Sequence, residues 1–414
     1  MAQHRAAPGR SHPSPVPLPT PRAGRPHLAP LDGLRGLAVA AVLLFHAGYL
    51  RGGFLGVDLF FVLSGFLITG LLLAETRRAG GIDLAAFWAR RARRLLPALV
   101  VMGVATLLLA WVFGSPSLLA FALDDAPWAA AQAVNWHFIA EQVGYWNASD
   151  TRLFSHLWSI AVEWQFYLAW PVVVLLAGRG RHGERRVASL AVVGACVSLA
   201  LMIMFDTAVD TTRVYEGTDT RAFSLLLGAA VATRPVRAGF ARVPRQAADL
   251  LCAVLACGLV ASWALTDGQH APGLFQGGMF LHSLVAAVLI ATLAAVPDGR
   301  TGRALGSVVP RRLGELSYGL YLWHWPVYLL LPADVLGFGG PPRTAVLIAL
   351  SLAAAALSKK LVEDPVRFRA RWATSRRGLA VLGATALVAA AVWAAIPQPT
   401  LGAGSVDVHR LMEP

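Results

Sequence analysis

Apolar runs close to twenty residues long recur along almost the whole chain, separated by short segments rich in arginine. At about 1.5 Å of rise per residue, one such run crosses a hydrocarbon core of about 30 Å. Inside a bilayer only helices and closed barrels satisfy every backbone polar group, and a barrel needs segments of about ten alternating residues. These runs do not alternate. The fold class expected is therefore all-α, a polytopic integral membrane helix bundle. Eleven spans are predicted, at 34–50, 54–74, 96–113, 156–177, 187–205, 220–233, 248–265, 277–297, 313–333, 343–361 and 378–396, the sixth being short. Charged residues make up only 14% of the 414, against about 25% in soluble domains.

The remaining segments fix the organisation. Residues 1–30 are rich in Pro and Arg and cannot bury enough surface to fold alone; they are read as a disordered basic cytoplasmic tail. Residues 31–396 form one transmembrane domain, and 397–414 a short extracytoplasmic tail. No A-x-A cleavage site follows the first apolar run, which reads as a retained span. With the N-terminus inside, 30 of the 36 Lys and Arg residues fall on cytoplasmic segments, a strong positive-inside bias. Arginine outnumbers lysine 34 to 2, as in GC-rich bacteria, so the compartment expected is a bacterial plasma membrane. The net charge of +13 lies in short clusters between apolar runs, a pattern of topology and lipid contact that does not point to nucleic acid. Cys196, Cys252 and Cys257 sit inside apolar stretches without CxxC or Cys/His spacing, so neither a metal site nor a disulfide framework is expected.

Several constellations carry chemistry. Asp32-Gly-Leu-Arg35-Gly opens the first span, and His46 follows eleven residues after Arg35. Eleven residues is three turns plus roughly 20°, so Arg35 and His46 share a helix face about 16 Å apart along the axis. An ionisable group inside a span is costly and marks function by default. Asp58 lies inside the second run, Gly56-Val-Asp-Leu-Phe-Phe-Val-Leu-Ser-Gly-Phe66, and a meeting with His46 would fix the imidazole tautomer and raise its basicity. Arg90, Arg91, Arg93 and Arg94 put four guanidinium groups in five positions, suited to phosphate oxygens or to lipid headgroups. His156, Ser159, Glu163 and Tyr167 recur at helical spacing and form one polar stripe. Ser317, Tyr321 and His324 combine hydroxyls and an imidazole near the ninth span, where the aromatics serve equally for packing.

Together these segments resemble the membrane-bound acyltransferase family 3, which includes bacterial O-antigen and other polysaccharide O-acetyltransferases. The resemblance covers about residues 29–375. The family's basic residue with ten residues between it and a histidine corresponds to Arg35 and His46, its Gly-Val-Asp-Phe-Phe-like segment to Gly56–Phe66, and its RxxR motif to Arg91/Arg94, with Arg90/Arg93 at the same spacing. His156–Glu163 matches its His-x-Trp-Ser-x-x-Val-Glu segment, and Ser317–Pro326 its Ser-Tyr-x-x-Tyr-x-x-His-x-Pro segment. Many members carry a second glutamate where this chain has Trp164, and many continue into an SGNH esterase-like domain, whereas this sequence stops about eighteen residues after its last span.

The resemblance implies transfer of an acyl group, typically acetyl from acetyl-CoA, onto a hydroxyl of a polysaccharide, glycolipid or glycosylated metabolite, with no tightly bound cofactor. A separate extracytoplasmic partner is one route for delivering the group. His46 is then general base or acyl carrier, oriented by Asp58 or Glu163. Arg35 with Arg90, Arg91, Arg93 and Arg94 supplies the donor site, and His156, Ser159, Ser317, Tyr321 and His324 line the acceptor site or cavity. The rival reading is a proton-coupled transporter or flippase, which eleven spans with intramembrane His, Asp and Glu also describe; a membrane glycosyltransferase is a third. No clear internal repeat supports the transporter.

Overall fold

In the computed structural model, described over residues 28–144, 151–206, 211–268, 271–369 and 376–399, the chain is a helix bundle. The expected N-terminal tail, except for Leu28 and the start of the first helix, and most of the expected C-terminal tail lie outside the described residues. The longer helices are α1 (Ala29–His46), α2 (Gly56–Ala79), α3 (Leu84–Phe113), α4 (Pro116–Ala130), α5 (Val134–Ala140), α6 (Trp158–Ala177), α7 (Gly183–Phe205), α8 (Thr218–Val231), α9 (Arg234–Phe240), α10 (Arg245–Leu265), α11 (Gly278–Ala295), α12 (Val308–Leu330), α13 (Gly340–Ser358) and α14 (Arg376–Ala395). Among the described residues no strand occurs.

Among the described residues eight helical stretches are long and apolar enough to cross a membrane, so the protein is a multi-pass membrane protein. The other three anticipated spans coincide with α8, α12 and α14. Helix α8 has only 14 residues, or about 21 Å. Helix α12 carries Arg311, Arg312, Glu315 and His324, which lower its hydropathy. In α14 the apolar part described is Ala380–Ala395.

Lipid offers no hydrophobic drive between helices, so close approach through small residues replaces it. Helix α1 lies along α12 and α2 lies along α8. A Cβ on Gly314 of α12 would run into the Asp32 carbonyl of α1, and one on Gly65 of α2 into the Leu225 carbonyl of α8. These contacts are backbone to backbone. The first fixes the register of the two helices that carry His46 and His324.

Three prolines inside helices show where bundle-spanning hydrogen bonds originate. Proline lacks an N–H, which leaves the carbonyl four residues earlier without its helical donor. Pro171 frees Tyr167 O, which accepts from Trp88 Nε1 at 2.9 Å. Pro127 frees Leu123 O, which accepts from Trp393 Nε1 at 2.8 Å. Pro326 frees Leu322 O, which faces His156 Nε2 at 3.1 Å. Each vacancy is filled by a ring N–H from another part of the chain, tying α6 to α3, α4 to α14, and α12 to the turn before α6.

Candidate active site

His46 ends α1, and its ring meets α12. Its Nδ1 lies 3.1 Å from His324 Nε2, and its ring centroid is 4.5 Å from that of Trp325. His324 is fully buried, and its Nδ1 faces the Tyr321 and Leu320 carbonyls at 2.8 and 3.1 Å. His156 stands edge-on to it, with ring centroids 5.6 Å apart. Because Leu322 O can only accept, His156 Nε2 carries the proton; its Nδ1 is a buried lone pair without a hydrogen-bond partner. Three histidines far apart in sequence thus form one layer. Trp325 Nε1 donates to Arg152 O at 3.0 Å, which holds the indole against His46.

Beneath this layer a cavity of about 710 Å³ opens toward the arginine-rich end of the bundle. Arg35, Arg91, Arg94 and Arg237 line it at that end, while Ser159, Tyr321, Ser317 and Glu163 line its deeper part. Ser159 Oγ and Tyr321 Oη are 2.6 Å apart, and both hydroxyls reach His156 O, joining the cavity floor to the histidines. Glu163 accepts from Ser64 Oγ and Tyr167 Oη in the cavity wall. The Arg91 Nε–H is buried without a hydrogen-bond partner.

The predicted residues therefore divide. His46, His156 and His324 come together, and Ser159, Ser317 and Tyr321 lie just below them. The two arginine frames separate: Arg91 and Arg94 line the cavity, whereas Arg90 pairs with Glu75 at 3.2 Å on the surface and Arg93 Nε donates to Ala89 O of its own helix. Arg237, on α9, joins the cavity and was not foreseen.

Asp58 is corrected. Its carboxylate does not meet His46; it pairs with Arg221 Nη2 at 3.0 Å and accepts from Ser224 Oγ at 2.9 Å, all fully buried. Arg221 stands within α8 among the rings of Tyr215, Trp158 and Phe61. Breaking such a buried pair costs about 3–5 kcal/mol, so Asp58 ties α2 to α8. An intramembrane carboxylate and an intramembrane guanidinium in one sequence were the available signal. Glu163 likewise does not touch His46; it faces the cavity.

At the other end of the bundle, His137 Nε2 faces Asp125 at 3.3 Å, Asp124 at 3.5 Å and Glu141 at 3.6 Å. Asp124, His137 and Glu141 present atoms spaced to accept a metal ion, but Arg152 already bonds Asp125 at 2.6 Å and Glu141 at 2.7 Å. Burial works against a charged His137, yet the interaction with Asp125 and the charges of Glu141 and Asp124 outweigh it, and its pKa is raised above 6.5. A raised pKa stabilises the fold fully below the unfolded value and is lost as pH rises through the folded one. In detergent, the difference in melting temperature between the wild type and His137→Gln is expected to be largest near pH 6 and to shrink toward pH 8.5. A difference that is constant with pH would contradict this assignment.

A family model described as an acyltransferase domain matches residues 28–359. Among curated proteins, the chain is 34% identical to the peptidoglycan O-acetyltransferase OatA of Listeria monocytogenes, over 84% of this chain and 57% of that protein. It is 36% identical to the putative peptidoglycan O-acetyltransferase YrhL of Bacillus subtilis, over 84% of this chain and 56% of that protein. It is 34% identical to the O-acetyltransferase OatA of Staphylococcus aureus, over 82% and 57%. The chain thus spans little more than half the length of these relatives. No solved structure matches it.

Proposed function

The chain belongs to the acyltransferase 3 family, and from that membership we propose that it is a membrane O-acetyltransferase, moving acetyl from cytosolic acetyl-CoA to a hydroxyl of an envelope carbohydrate. The observation that carries this reading is the cavity running from four arginines to the Ser159–Tyr321 pair, with the histidine layer behind it. Guanidinium forks suit the phosphates of a CoA donor. Phe60, Phe61 and Ile160 offer an apolar passage for its thioester arm. In this reading the arginine-rich end faces the cytosol, in keeping with the positive-inside bias.

His46 acts as the general base. It takes the proton of the acceptor hydroxyl as that oxygen attacks the thioester carbonyl, and its position at the C-terminus of α1 favours the transient positive charge. The relatives' names make peptidoglycan the first acceptor to test.

Purified protein in proteoliposomes, given labelled acetyl-CoA, is expected to release CoA and to label the carbohydrate only when an acceptor such as a peptidoglycan fragment is supplied. Movement of an unmodified precursor across the bilayer without any label transfer would favour a carrier instead.

A further inference from the structure

A base that works through Nε2 must keep that nitrogen unprotonated, so something must hold its proton on Nδ1. In serine-protease-like dyads a carboxylate does this. Here the carboxylates of Asp58 and Glu163 are engaged elsewhere: Asp58 with Arg221, and Glu163 with Ser64 and Tyr167. The side chain that reaches His46 Nδ1 is another imidazole, that of His324.

We propose that His324 is a positioning residue that fixes the tautomer of His46, presenting the His46 Nε2 lone pair to the reaction. This rests on the acyl-transfer reading above. The geometry determines the protons. His324 Nδ1 faces two carbonyl oxygens of its own helix, which can only accept, so Nδ1 carries the hydrogen. In the neutral ring Nε2 is then a lone pair, and the 3.1 Å contact with His46 is a hydrogen bond only if His46 Nδ1 donates. A neutral His46 that donates from Nδ1 has its lone pair on Nε2.

His324 is also prevented from turning. Its ring is enclosed by Tyr321, His156 and Tyr328, with centroids 5.5, 5.6 and 5.9 Å away. An imidazole partner suits this depth, because a neutral pair adds no standing charge to the membrane interior, where an unpaired carboxylate would be costly. In the reaction the acceptor O–H breaks and its proton goes to His46 Nε2. The new C–O bond forms, the C–S bond breaks, and the departing thiolate takes the proton back from Nε2. While His46 is an imidazolium, its Nδ1–H bond to His324 becomes charge-assisted and strengthens, so the partner stabilises the charged stage more than the resting one.

Two variants separate this role from packing. His324→Asn keeps an amide N–H for the Leu320 and Tyr321 carbonyls but has no atom at the Nε2 position. His324→Gln reaches farther and can return an acceptor oxygen to His46. With the purified protein, His324→Asn is expected to lower kcat about 10–100-fold, the range typical when a group that orients a metal-bound histidine is removed, with KM for acetyl-CoA within twofold. His324→Gln is expected to recover most of the loss. In ¹⁵N-histidine spectra the wild type is expected to show His46 as the Nδ1–H tautomer, and His324→Asn to lose that preference. Unchanged kcat in His324→Asn, equal losses in both variants, or an Nε2–H tautomer in the wild type would each overturn the proposal. If the wild type transfers no acetyl group at all, the acyl-transfer reading fails instead, and the tautomer still reports on the histidine pair.

Discussion

His46→Ala is expected to abolish acetyl transfer while the protein still accumulates in the membrane and still binds acetyl-CoA. The donor cavity is lined without any contribution from His46, so Arg91 and Arg94 keep their register on α3. His324 keeps its bonds to the Leu320 and Tyr321 carbonyls, so the end of α12 is not released. The loss should therefore fall on kcat and amount to about 10²–10⁴-fold, the usual contribution of a positioned general base. The same preparation distinguishes base from carrier. A base has nothing to act on without acceptor, so wild-type protein given acetyl-CoA alone should release no CoA. A burst of one CoA per protein would make His46 a transient acyl carrier, and near-normal turnover in His46→Ala would remove it from the chemistry.

The sequence exposed most of the architecture because lipid imposes length. Runs that must cross a bilayer are long and continuous, and α1, α2, α6, α7, α10, α11 and α13 follow them closely, whereas α3 starts at Leu84, ahead of the span expected at 96–113, so the arginine cluster is itself helical. It exposed the site less evenly. Asp58 lies twelve residues from His46, across one short turn, and two ionisable groups inside neighbouring spans were expected to meet. Yet α2 begins only at Gly56, and its Asp58 side chain points toward α8. Partners that arrive from distant helices leave no local spacing to read. His324 reaches His46 across 278 positions, and Trp88, His156 and Trp393 fill proline vacancies in helices they do not adjoin in sequence.

Which arginines face the cavity, by contrast, was readable. Along α3 the buried residues Leu95, Ala98, Leu99 and Met102 form a helical stripe. Arg91 and Arg94 extend it toward the helix start at spacings of three and four residues, whereas Arg90 and Arg93 fall off it. Counting the apolar stripe before weighing the charges would have chosen the pair.

That stripe also makes the donor prediction specific. Replacing Arg91 or Arg94 by alanine should raise KM for acetyl-CoA about tenfold to a hundredfold each, since a hydrogen bond to a charged group contributes about 1.5–3 kcal/mol and 1.4 kcal/mol is tenfold in affinity. Arg91 should be the more sensitive, because its buried Nε–H has no hydrogen-bond partner until an anion enters the cavity. Arg90→Ala and Arg93→Ala are the internal controls. Arg90 gives up a surface ion pair with Glu75, worth about 0–1 kcal/mol, and neither arginine faces the cavity, so their KM values should stay within about twofold of the wild type. Donor titrations on the four single variants, at one fixed salt concentration, measure this. A uniform modest rise across all four would mean that the cluster acts through its net charge on lipid headgroups, because a bound donor distinguishes the two faces of α3 and a headgroup layer does not.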